Sequence, residues 1–347
     1  MYKIIQKRKI WLSLSGTLVV LSVVALAIWG LDFGIDFTGG SLLEVNFFGS
    51  RPTVMEVQDE LGDLDLGSLT VQPVGEKGII LRFQDINEDV HQQILEKINN
   101  ISEGDNTALE VSNNDFRIDS EGDGLVVEQV DVNTGEELNV EGLVTATSKA
   151  ELTNIEEMRF DSVGPSIGQE LKQKSVYAIF FVIIAIVLYI AWVFRKVSKP
   201  VASWKYGIAA IIALFHDVII TMGVFAILGK YFGIEINTPF VAAILTVLGY
   251  SVNDTIVVFD RIRENLPKSS EDFENTVNTS VNQTIQRSIN TSLTTLLVLL
   301  SILFFGGGTI KDFVLALSIG VFVGTYSSIF IASPVLVVWE RLKARNA

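Results

Sequence analysis

The chain has 347 residues, 49% apolar and 19% charged, with a net charge of −14 and no cysteine, which excludes disordered, collagen-like and disulfide-scaffold classes. Residues 31–174 hold 9 Lys/Arg against 30 Asp/Glu, and the remainder holds 17 against 10. Apolar and acidic sequence are therefore segregated, as in a membrane protein carrying one large acidic soluble domain, and the sign of that domain argues against a nucleic-acid partner.

The first apolar run, residues 10–31, follows Lys3, Lys7, Arg8 and Lys9. Ala25-Leu26-Ala27 resembles a signal-peptide cleavage site, but the run is longer than a usual signal core, and its removal would leave an odd number of spans. It is read as a retained membrane span. Beyond it, residues 41–48 are predicted as a strand and 52–61 as a helix with Pro52 near its first turn. Strands follow at 69–73 and 78–83, then a helix at 87–99 capped by Asn87, and a last strand at 155–163. The order β-α-β-β-α-β is that of a ferredoxin-like fold. Residues 102–149, rich in Asp, Glu, Asn and Gly, interrupt it as an insertion with an expected hairpin over 126–140, centred on Asn133-Thr134-Gly135.

Five further apolar runs occupy residues 175–194, 207–228, 238–259, 288–305 and 313–337, most of them near the roughly 20 residues a helix needs to cross a bilayer. Fourteen Lys/Arg lie in the N-terminus, the tail and the loops after the second and fourth runs, whereas the two alternate short loops carry only Lys230 and Lys311. By the positive-inside rule both termini are cytoplasmic and residues 32–174 extracytoplasmic. The expected architecture is an α-helical membrane protein with six transmembrane helices and a ferredoxin-like α+β extracytoplasmic domain between helices 1 and 2. Its segments are 1–31, 32–174, 175–337 and a tail at 338–347.

Several chemical signals fail. Residues 223–230 imitate a phosphate-binding loop, but the glycine spacing is one residue too long and Tyr231 replaces Ser/Thr. Asp119, Glu121, Asp123 and Gly124 open like a calcium loop, yet its twelfth position is Val130, which lacks the closing carboxylate. His91 lies on a polar helix and is expected to be solvated. No zinc motif or serine-nucleophile elbow is present, so no hydrolytic chemistry and no metal is expected.

Ionisable residues inside the membrane are functional candidates by default. His216 and Asp217 sit in the third span and Asp254 in the fourth. Thr246, Gly249, Tyr250, Asn253 and Asp254 share a helical stripe that should face the bundle rather than lipid. The most apolar part of the fifth span, residues 293–305, is 13 residues, about 20 Å of helix, so residues 287–292 must be drawn inward. Arg287, Asn290, Thr291, Thr294 and Thr295 then form a polar stripe. Counted from the outer surface, Asp254 and Arg287 differ in height by only ~4 Å, which allows a pair. Burial and a neighbouring guanidinium pull a carboxyl's proton affinity in opposite directions, so separating the pair could drive a protonation change. Bland alternatives exist: a structural carboxylate for Asp254, snorkelling for Arg287, and helix-to-helix glue for His216–Asp217. Gly320, Gly324, Ser327 and Ser328 make a small-residue face on the last span, read as packing.

Five blocks in order carry a family resemblance. They are Gly34-Ile35-Asp36-Phe37-Thr38-Gly39-Gly40 after the first span, Val163-Gly164-Pro165-Ser166-Ile167-Gly168 before the second, and His216-Asp217-Val218-Ile219 in the third. The fourth span supplies Gly249-Tyr250-Ser251-Val252-Asn253-Asp254 with its continuation to Arg261, and the fifth Arg287 with Thr291-Ser292. The chain resembles the SecF subunits of SecD–SecF protein-export complexes, of the resistance-nodulation-division superfamily. The resemblance implies a half-transporter paired with a SecD-like subunit, assisting the SecYEG channel in the inner membrane, with a YajC-like small membrane protein and the translocating preprotein as further partners. It also implies energy from the proton gradient, with no bound cofactor, and places the proton-coupling carboxylate and arginine at Asp254 and Arg287. Asn253, Asp217, His216 and Thr291 are supporting candidates. Gly39-Gly40 and Gly164-Pro165 are read either as sharp exits between helix and strand or as a hinge to the outer domain. A small-molecule exporter half and a passive translocon scaffold are the rival functions.

Overall fold

Among the described residues, six helices are long and apolar enough to cross a membrane. The computed structural model describes residues 1–104, 116–117, 128–129, 154–194 and 202–346. They form two units: Gly39–Pro165, and Met1–Thr38 together with Ser166–Ala347.

In chain order, α1 (Arg8–Trp29) is the first span, and a single turn, α2 (Ile35–Thr38), follows it. The sheet unit then begins with β1 (Gly40–Phe47), α3 (Val54–Glu60), β2 (Thr70–Val74), β3 (Gly78–Phe83) and α4 (Glu88–Gly104). Helix α3 starts where Thr53 and Glu56 close a capping box, each side chain bonding the other residue's backbone N–H. Pro52 therefore lies outside the helix rather than in its first turn. Asn87 accepts the Val90 N–H at 3.0 Å and caps α4, as expected. Two short strands, β4 (Phe116–Arg117) and β5 (Glu128–Gln129), pair antiparallel. The hairpin turn expected at Asn133-Thr134-Gly135 falls outside the described residues, as do Asp119, Glu121, Asp123, Gly124 and Val130.

The return strand β6 (Ile155–Val163) completes an antiparallel sheet of order β2-β3-β1-β6, the order a split β-α-β-β-α-β chain produces. Alternation along β1 and β3 sends Leu43, Val45, Phe47, Ile79, Leu81 and Phe83 into one core with Val57 and Leu61 near α3 and Ile94 and Ile98 of α4. Each such fully buried side chain contributes on the order of 1.5–3 kcal/mol. His91 joins this core and is not solvated: it is 4% exposed and stacks on Phe160 of β6 at 3.9 Å. Its polar neighbours on α4 conceal that it occupies the sheet-facing side of the helix.

The membrane unit continues with α5 (Pro165–Val193), α6 (Ser203–Phe232), α7 (Thr238–Asn265) and α8 (Phe273–Phe305). The last span is α9 (Gly308–Ser327), which passes through one π-helical turn at Ser328–Ala332 into α10 (Ser333–Asn346). Helices α6, α7 and the last span are the most buried, and α5 is peripheral. The residues that imitate a phosphate loop lie within α6, a continuous helix. The small face of the last span is a packing face: a Cβ at Gly320 would stand 2.2 Å from the Val247 side chain, so α9 and α7 touch closely.

Candidate functional site

Asp217 is fully buried on α6 and gathers three helices. Its Oδ2 accepts the Ser251 hydroxyl of α7 at 2.5 Å and the Ser327 hydroxyl of α9 at 2.8 Å. Its Oδ1 lies 3.0 Å from His216 Nδ1. A neutral histidine protonated at Nδ1 donates this bond and leaves only a lone pair at the buried Nε2, which has no partner among the described residues. Ser328, opening the π turn, lies 2.9 Å from the Thr255 hydroxyl and donates to the Ser251 carbonyl at 3.2 Å. The extra residue in that turn lies directly after the serine that holds the carboxylate; π turns concentrate at such sites.

Asp254, three residues beyond Ser251 on α7, is held differently. It is 5% exposed, yet among the described residues its Oδ2 makes no hydrogen bond of ordinary geometry, and neither does the buried hydroxyl of Ser288. The groups that act on it come from α8: Ser288, Ser292 and the charge of Arg287. Ser292 accepts from the Tyr250 hydroxyl at 3.2 Å and the Thr325 hydroxyl at 2.5 Å, which leaves its own O–H to donate toward Asp254. A carboxyl with an unbonded oxygen can change protonation state without dismantling a network, whereas Asp217 would have to break its bonds to α7 and α9.

Asp254 and Arg287 form no ion pair among the described residues, and Arg287 is exposed. Thr291 donates to the Arg287 carbonyl at 2.9 Å and does not reach Asp254. The expected burial of the polar stripe on α7 is only half met. Asp254 is covered by the chain and Tyr250 partly so, but Thr246, Gly249 and Asn253 are exposed, and so are Arg287, Asn290, Thr291 and Thr294 on α8. The reason is positional: α8 covers one edge of α7, and the described residues supply no helix for the rest of that face. Sequence reading missed Ser288 and Ser292 as neighbours of Asp254. Their signal was the buried hydroxyl stripe Thr284, Ser288, Ser292 at i, i+4, i+8.

The glycine-rich segment after α1 is built into the same unit. Phe33 bridges Ile236 in parallel, and Ile236 donates to the Asp32 carbonyl at 2.7 Å. Gly34 donates to the Ile236 carbonyl, and a Cβ there would stand 1.8 Å from Asn237 Oδ1. Asp36 Oδ2 accepts the Thr238 N–H at 2.7 Å, which places a carboxylate on the N-terminus of α7, the helix of Asp254. Phe37 packs with Phe225 and Phe240. Gly39 and Gly40 then take φ of +75° and +115°, and a Cβ at Gly39 would stand 2.7 Å from Pro165 Cα. A side chain at Gly39 would be strained in its backbone and obstructed at once. Gly164 has open space around it, with only Asp85 at van der Waals distance.

Two family models match this chain. One described as protein export membrane protein SecD/SecF, C-terminal, covers residues 143–342, and one described as the SecD/SecF GG motif covers residues 24–47. A protein translocase subunit SecF from Thermobaculum terrenum is 41% identical over 98% of this chain and 94% of its own length. Another, from Anaerolinea thermophila, is 36% identical over 100% of this chain and 96% of its own. Among solved structures, SecDF from Thermus thermophilus, a translocon-associated membrane protein, aligns at a TM-score of 0.71 and 27% identity. The alignment covers 98% of this chain but 39% of that one. The segment that seats α7 is the one the GG model matches, the C-terminal model spans the helices of both carboxylates, and relatives align from end to end: the chain belongs to the SecF family of protein translocase subunits.

Proposed function

We propose that this chain is the SecF half of a two-part export motor. It works with a SecD-like subunit beside the SecYEG channel, with a YajC-like small protein as accessory, and the proton gradient drives release of preproteins on the outer side. Asp254 is the proton carrier and Arg287 its mobile counter-charge. Asn253 and Thr291 line the polar face on which the SecD-like half sits, and the His216–Asp217 pair fixes α6 against α7 and α9. The observation that carries this reading is a buried, under-partnered carboxyl at the edge of an uncovered polar stripe inside the membrane. Such a stripe needs protein or water rather than lipid. One charge crossing the membrane potential exchanges about 2.3 kcal/mol per 100 mV, enough to bias a conformational cycle.

In the same reading both termini and the basic loops are cytoplasmic, and the acidic unit faces outward. Gly39-Gly40 and Gly164-Pro165 are the hinge through which helix motion reaches it. The chain works without hydrolytic chemistry and without a bound cofactor. The test uses inverted membrane vesicles containing the chain, a SecD-like partner and the channel, and measures gradient-dependent completion of preprotein translocation. Asp254→Asn, matched for expression, is expected to abolish the gradient-dependent part. Full stimulation by that variant would make the carboxyl structural and favour a passive scaffold.

A further inference from the structure

At one end of the membrane unit the N-terminal segment is stapled to the side of α8. Asn282 accepts the Tyr2 N–H at 2.7 Å and donates to the Tyr2 carbonyl at 2.8 Å, and Asn278 accepts the Ile5 N–H at 3.2 Å. Lys7 donates its N–H to the Lys3 carbonyl, so the two lysines stand one turn apart on a backbone fixed by these bonds. Between this segment and α8 lies a cavity of about 600 Å³, within the roughly 300–1,000 Å³ typical of small-molecule sites.

Lys3, Lys7 and Gln286 line it together with Trp11, Ile289 and Phe330; the Trp11 indole N–H has no acceptor among the described residues. From Ile289 the exposed apolar residues Leu293 and Leu297 continue for two turns up the same side of α8. Asn290 lines the cavity too, at the border with the side bearing Arg287, Thr291 and Thr294.

We infer that this cavity is a binding site for one anionic phospholipid, with the phosphate between Lys3 and Lys7 and an acyl chain along Ile289, Leu293 and Leu297. The charge fits: two lysines and no acidic side chain line the cavity, and basic pockets between membrane helices suit anionic headgroups. The position fits as well, because the lysines precede the first span by a few residues while the apolar wall runs into the hydrocarbon. A polypeptide occupant would have to bring its own negative charge and a buried apolar side chain to the same point.

The test is native mass spectrometry of the full chain in neutral detergent, titrated with phosphatidylglycerol and, separately, phosphatidylcholine. Phosphatidylglycerol is expected to be retained at least tenfold more tightly. The double substitution Lys3→Gln/Lys7→Gln should weaken it by roughly fivefold per lysine. Lys9→Gln, the loss of one such charge outside the cavity, should leave it unchanged. Equal retention of the two lipids, or equal weakening by Lys9→Gln, overturns the site. So does a photoreactive side chain at position 289 that labels a polypeptide instead of lipid in native membranes. Binding of glycerol phosphate as tightly as the lipid also overturns it, because the acyl wall would then have no part.

Discussion

Asp217 and Asp254 are one helix apart, and a substitution takes different things from each. Asp217→Ala strands the Ser251 and Ser327 hydroxyls and loosens three helices, so it is expected to cost about 1–3 kcal/mol, read as a lower unfolding midpoint in detergent. Asp254→Asn keeps an acceptor oxygen for the Ser288 and Ser292 hydroxyls beside it and should leave that midpoint within about 0.5 kcal/mol of the native value. The reverse ranking would mean that the roles are exchanged. Both acids were legible in the sequence because charge stands out in an apolar run. The clasp around Asp217 was not, since its donors lie 34 and 110 residues away and serines are common in membrane helices. His91 misled for a related reason: its neighbours along the chain are polar, and only the opposing Phe160 shows the face it occupies.

At the scale of elements, the ends of helices carry the specific information. Asp36 on α7 is an example: Asp36→Ala should cost about 0.5–2 kcal/mol and speed hydrogen exchange in the first turn of α7 while the rest of the helix is unaffected. In the sheet unit, Lys97 of α4 reaches the Glu60 carbonyl at 3.0 Å and Asp63 at 2.9 Å. The Lys97 hydrogen bond, with its charge, holds the Asp63 carboxyl below its ordinary value. A lowered value means that this support is present above the usual carboxylate range and fades as pH falls through it. Exchange protection of the α3–α4 corner should therefore drop at acid pH in the native chain, and Asp63→Asn should flatten that dependence. All six spans were legible from hydropathy, but their lengths were not. Helix α8 runs 15 residues before its apolar stretch begins at 288, because Asn275, Asn278 and Asn282 tie it to residues 2–6. Partners more than 260 residues apart leave no local periodicity to read.

The membrane unit is closed at one end by a charge network joining both chain ends. Glu274 of α8 accepts Arg8 at 2.8 Å and also pairs with Arg341 of α10. Glu274→Gln leaves two arginines without their carboxylate and should lower the unfolding midpoint by the equivalent of about 1–3 kcal/mol. High salt should weaken the native protein more than the variant. The ends of the sheet unit have a further consequence. Its first strand begins at Gly40, the last ends at Val163, those two residues are direct partners across the ladder, and a Cβ at Gly39 would run into Pro165. Entry and exit are thus neighbours, and residues 40–163, 124 in all, can be treated as a cassette between them. Chains with such adjoining ends tolerate excision and grafting. Replacing residues 40–163 with a short glycine link should still give a six-span protein, and the same cassette set into a surface turn of an unrelated carrier should keep its own sheet.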